Sequence, residues 1–154
     1  MIFHVSIEAQ EPERVAKVIA ELWQGSAAPL DRLVPGAWIA FCGKSALSSV
    51  EVFPCGTNIT QVYGDEPWVG RSDGLLRPTA SHVALSTELT KDAVFKVCAR
   101  EGWKAKYVVR GDRFGVIEAW VNEYLVIEWL TTEMQAAYTR TLDGMLKSEI
   151  VYEA

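Results

Sequence analysis

Apolar and polar residues alternate from Ile2 to Glu8, the period-two pattern of a half-buried strand, and the run is rich in β-branched and aromatic types. Pro12 then stands where a first helical turn begins, with Glu11 and Glu13 suited to its positive end. Val15, Val18, Ile19 and Leu22 follow the i, i+3, i+4, i+7 spacing of one helical face, and Gly25 closes the run. Strands are expected over Gly36 to Cys42 and Ser48 to Phe53, with a weaker one over Leu30 to Val34. The same order returns in the second half. Ser81 to Ser86 reads as a strand, and Ala93, Val94, Val97 and Cys98 mark a helical face that Gly102 closes. Trp103 to Val109, Phe114 to Val121 and Tyr124 to Leu130 supply three more strands. His4 precedes Gly25 by 21 positions and His82 precedes Gly102 by 20, so the halves repeat in spacing as well as in order.

The pattern predicts an α+β fold of two pseudo-symmetric βαβββ modules, at about 1–53 and 80–130, within a single domain spanning 1–154. A connection over about 54–79 carries glycines, prolines and Trp68, and a loop of that length is usually functional or mobile. A final helix over about 131–150 starts at Thr131 or Thr132, where Thr132-Glu133-Met134-Gln135 fits a capping box. Its apolar stripe is Met134, Ala137, Tyr138, Thr141, Leu142 and Met145. The default for that stripe is packing on its own sheet, and the alternative is a dimer contact.

Composition narrows the function classes. A net charge of −5 repels phosphate backbones and anionic membrane surfaces, so neither nucleic acid nor membrane is an expected partner. No basic segment leads into an apolar run at the N-terminus, and no apolar stretch approaches the roughly 20 residues that span a bilayer. Cys42, Cys55 and Cys98 are an odd count without a Cys-x-x-Cys pair, which suits a reducing cytoplasm.

The chain has two histidines, and each falls near the start of the first strand of its half. Each half also ends in an apolar strand interrupted by one carboxylate, Glu51 and Glu128. Glu51 follows His4 by 47 positions and Glu128 follows His82 by 46. A glutamate inside a buried strand needs a cation, a donor network or a raised pKa. Two such glutamates with two histidines could share a divalent ion such as zinc, nickel, iron or manganese, leaving coordination positions open. Glu118 is a reserve candidate whose default is a solvated face. Trp38, Trp120 and Trp129 lie on expected strands, as core packing or as walls for a flat ligand.

With its paired modules and His4, Glu51, His82 and Glu128, the chain resembles the vicinal oxygen chelate superfamily, which includes glyoxalase I, extradiol dioxygenases, methylmalonyl-CoA epimerase and bleomycin-resistance proteins. The resemblance covers about residues 2–130 and rests on His4-Val5-Ser6-Ile7, His82-Val83-Ala84-Leu85 and Val126-Ile127-Glu128. It implies that the modules curve into a half-open β-barrel, that the four residues meet inside it, and that a homodimer forms. The function implied is a divalent-metal-dependent lyase or isomerase on a small compound with adjacent oxygens, through an enediolate-type intermediate, with Glu128 or Glu51 moving the proton. The alternatives are a metal-free ligand-binding module of the bleomycin-resistance type and a scaffold or regulatory protein. The chain departs from the family at Val121-Asn122-Glu123-Tyr124, where relatives often carry Asp-Pro-Asp-Gly. It also has Glu8 where glyoxalase I sequences tend to place an arginine for the glutathione carboxylate, and Glu8 would repel that group. An extradiol dioxygenase usually needs a third histidine, which this chain lacks.

Overall fold

A computed structural model of the chain describes residues 3–31, 34–43, 48–60, 69–75, 81–111 and 113–152. The first module runs β1 (His4–Ala9), α1 (Pro12–Leu22), β2 (Ser26–Pro29), β3 (Trp38–Phe41) and β4 (Ser49–Pro54). Its sheet has the order β1-β4-β3-β2. The crossover through α1 makes β1 and β4 parallel, with His4 beside Ser49 and Ser6 beside Glu51. Pro12 supplies the fixed φ of a first helical turn, and Val15, Val18, Ile19 and Leu22 are buried as their spacing predicts. Val50 and Val52 are fully buried, and their partners across the sheet are Ala40 and Trp38. Lys17 of α1 lies 5.1 Å from the Trp38 ring centre, which marks this as the helix-covered face of the sheet.

Strand β2 lies ahead of the expected Leu30 to Val34. Those two apolar residues find burial in a turn instead: Val34 joins Ala37 and Phe53 in a small core cluster with Leu30 packed against it. The Leu30 N–H donates to the Ala37 carbonyl at 2.8 Å, and the Gly36 N–H donates to the Asp31 carboxylate at 2.8 Å. A hairpin of β5 (Thr57–Thr60) and β6 (Val69–Ser72) occupies part of the connection, where no strand was expected. The Gly56 N–H fastens its start to the Glu8 carboxylate at 3.0 Å. Most of the rest of that connection, Trp68 included, lies outside the described residues.

The second module runs β7 (His82–Ser86), α2 (Lys91–Glu101), β8 (Lys104–Arg110), β9 (Phe114–Val121) and β10 (Leu125–Leu130). Its sheet order, β7-β10-β9-β8, is that of the first module. Thr90 caps α2 by accepting the Ala93 N–H, and Gly102 takes the left-handed conformation (φ 72°) that ends the helix. Helix α3 (Thr132–Tyr152) follows directly. Gln135 does not close a capping box. Its side-chain amide donates to the Leu130 and Thr87 carbonyls at 3.0 and 3.3 Å, tying α3 to the ends of two strands. Along the expected stripe Met134 is buried and Tyr138 meets Phe114 edge-on at 4.8 Å, while Leu142 and Met145 are exposed. Among the described residues no helix is long and apolar enough to cross a membrane.

The chain divides into two compact units. One is Met1–His82 with Val121–Leu125, and the other is Val83–Trp120 with Val126–Ala154.

Candidate functional site

In the first module the strand pairing decides which side chains share a face. Trp38, Ala40, Val50 and Val52 look toward α1, so their sequence neighbours Ile39, Phe41, Ser49 and Glu51 lie on the opposite, open face. The β1–β4 register adds His4 and Ser6 to that face. His4 is exposed, whereas Glu51 is only 8% exposed. The Ser6 hydroxyl donates to a Glu51 oxygen at 2.9 Å, and no cation is bonded to Glu51 among the described residues. A largely buried carboxylate therefore rests on one hydroxyl.

The second module meets the same cost differently. Lys91 of α2 lies 3.9 Å from the Tyr107 ring centre, so α2 covers the face of β8 that carries Tyr107. Lys104, Lys106 and Arg110 alternate with Tyr107 and Val109 and share the open face. Antiparallel pairing of β8 with β9 sets Lys106 beside Glu118 and Lys104 beside Trp120. Nη2 of Arg110 donates to Glu118 Oε1 at 2.6 Å and to Glu128 Oε1 at 2.8 Å. Nζ of Lys106 lies 3.2 Å from Glu118 Oε2. Glu118 and Glu128 are 7% and 9% exposed, so the solvated face expected for Glu118 is not what the fold supplies. His82, Ala84 and Ser86 are exposed and alternate with Val83 and buried Leu85.

Two of these groups depart from their ordinary pKa. Burial pushes Glu118 up, but the hydrogen bond and charge of Lys106, followed by those of Arg110, outweigh it and leave the carboxyl below its usual value. The Arg110 guanidinium is raised, first by its hydrogen bond to Glu128, against a smaller opposing effect of burial, and by the charges of both glutamates. It stays charged at any accessible pH.

The four sequence candidates therefore sit in unequal surroundings. His4 and Glu51 share the open face of the first module and are the kind of donors a divalent ion accepts. Glu128 does not fit one as it stands, because a permanent cation is bonded to the same carboxylate. At an effective dielectric of about 20, a divalent ion about 4 Å from a guanidinium is repelled by roughly 8 kcal/mol. Within each unit, the described residues contain no group of three or more His, Cys, Asp or Glu arranged to hold a metal ion. Arg110 and Lys106 were not singled out in the sequence. Their signal is present, since Lys104, Lys106, Val108 and Arg110 recur at every second position opposite Phe114, Val116, Glu118 and Trp120. Trp129 is fully buried in the core, whereas Trp120 is on the open face beside Lys104.

No family model matches the chain, and no curated protein matches it in sequence. Solved structures do. The trypanothione-dependent glyoxalase I of Leishmania major is 12% identical, with a TM-score of 0.55 over 98% of this chain and 98% of that one. A fosfomycin resistance protein from Mesorhizobium loti is also 12% identical, with a TM-score of 0.51 over 83% of this chain and 88% of that one. Both are vicinal oxygen chelate folds, and the α+β fold of this chain is of that type. At such identity the likeness establishes the fold and not the activity.

Proposed function

We propose that this chain is a glyoxalase-like protein that binds a small organic molecule on the open face of its second module, with no metal ion at Glu128. The observation that carries this reading is the Arg110 bond to Glu128, which puts a protein cation where the resemblance would put a metal. Trp120 on the same face of β9 supplies aromatic surface for such a ligand. Sequestration is suited by the charge balance of the cluster, since Glu118 is paired with Lys106 and Arg110 and Glu128 with Arg110. The three cysteines form no disulfide, which supports a reducing compartment. A homodimer belongs to this reading through the resemblance alone, and a mass near 17.1 kDa by light scattering would remove it.

Glu51 favours a second reading. A carboxylate 8% exposed, with one hydroxyl donor and with His4 on the same face, is a place where a divalent ion would relieve a real cost. In that reading His4, Glu51, His82 and Glu128 hold zinc, nickel, iron or manganese, and the protein is a lyase or isomerase. The ion would polarise two neighbouring substrate oxygens, and Glu51 or Glu128 would move the proton.

Elemental analysis after divalent reloading separates the two, with a His4→Ala/His82→Ala variant treated alongside the unmodified chain. The ligand-binding reading expects far less than one equivalent in both. About one equivalent in the unmodified chain, lost in the variant, would overturn it and establish the second reading.

A further inference from the structure

The geometry points to an organic anion as the ligand of the second module, with Arg110 holding its charged oxygens. This rests on the ligand-binding reading above and adds the chemical class. The formal charges of Lys106, Arg110, Glu118 and Glu128 cancel, but they are not evenly placed. The side chains of Glu118 and Glu128 are 10% and 12% exposed, while those of Lys106 and Arg110 are 66% and 44% exposed. What the cluster presents to solvent is therefore positive, in a chain whose net charge is −5.

Arg110 also has capacity to spare. Both glutamates are held through Nη2 alone, and Nη1 and Nε have no acceptor among the described residues. A guanidinium carries five N–H donors and no acceptor, so the remaining ones can only bind an oxygen from outside the cluster. The two glutamates fix the guanidinium in place, and a ligand oxygen meeting it does not have to order a loose side chain. A cationic ligand would meet Lys106 and Arg110 before either acid. A neutral one would leave the exposed donors to water.

Benzoate and its neutral isostere benzamide test the assignment, followed by NMR on the full chain through the Arg110 Nε–H and Trp120 indole N–H signals. The expected result is saturable shifts with benzoate, weakening with added salt, and at least about tenfold poorer binding of benzamide, the scale of one charge-assisted hydrogen bond. Arg110→Lys, which keeps the charge but not the fork, should weaken benzoate more than benzamide. Because a lone neutral substitution at Arg110 risks the fold, Arg110→Gln/Glu118→Gln serves as the second variant. It keeps the formal charge of the cluster at zero and should abolish the preference for benzoate. Equal binding of the two probes would overturn the anion assignment, and a benzoate preference that survives the double variant would overturn the assignment to Arg110, each while leaving a ligand-binding face. No shift with either probe up to about 10 mM, weaker than the millimolar range of a minimal ligand, would overturn both this inference and the reading beneath it.

Discussion

Replacing Arg110 by Met keeps most of the aliphatic stem and removes the charge, leaving Glu118 and Glu128 largely buried, Glu118 with Lys106 and Glu128 without its cation. Both oxygens bond the same Nη2, so they lie within reach of one another. Two unit charges about 5 Å apart repel by roughly 3 kcal/mol at an effective dielectric of about 20. Losing one partner of a buried ion pair costs about 3–5 kcal/mol, but Arg110 is 44% exposed, and solvent screening lowers that. A loss of about 2 kcal/mol at pH 7.5 is expected. The pH dependence gives the sharper test. In the unmodified chain Glu118 is held below its ordinary pKa, so its contribution is present above the usual carboxylate range and is lost as pH falls through its folded value. In Arg110→Met the like charges push one carboxyl upward instead, so it takes a proton on mild acidification and the repulsion falls. The deficit between the two proteins should therefore shrink from pH 7.5 to pH 5, read from urea unfolding followed by tryptophan fluorescence at unchanged m. A deficit below about 0.5 kcal/mol at pH 7.5, the level of an ordinary surface substitution, would refute the reasoning, as would one that grows on acidification.

Two glycine positions should separate backbone from side-chain crowding. A methyl at Gly25 would land on the Phe41 carbonyl and the Gly43 N–H, neither of which can move aside, so Gly25→Ala should cost about 3 kcal/mol. At Gly115 the methyl meets the half-exposed Tyr107 ring, which can swing away at the cost of its Lys91 contact; about 1 kcal/mol is expected. Thermal melts that rank the two in the opposite order would contradict this. Burial pushes the Cys98 thiol up to about 11, and Cys55 is also raised, first by burial and then by the Glu8 charge. Only about one Cys98 in a thousand is thiolate at pH 8, so iodoacetamide should leave it unmodified in the folded protein and label it in urea. Mass mapping that finds Cys98 labelled equally fast in both states would show that its burial is not maintained.

The duplication is legible in the sequence because each of its marks is local. Pro12 and Gly102 bound helices through their own backbone chemistry, and strands such as Phe114–Val121 alternate with a period that neighbouring residues alone reveal. Leu30 and Val34 mislead for the same reason, since an apolar pair states a need for burial without saying whether a sheet or a turn supplies it. His4, Glu51, His82 and Glu128 are legible as a repeated pattern, and the repeat suggests two equivalent halves. Their surroundings are not equivalent. Glu51 is met by the hydroxyl of Ser6 from the adjacent parallel strand, but Glu128 is met by a guanidinium from β8, two strands away in its sheet. A contact that crosses three strands depends on register and on the reach of a long side chain, and a period-two pattern carries neither. Duplication thus placed matching acids in both modules, while a single arginine at the end of β8 made one of them a neutralised cluster and left the other short of a cation. That asymmetry, more than the shared positions, distinguishes the two glutamates: Glu51 has a hydroxyl donor from Ser6, and Glu128 has a guanidinium.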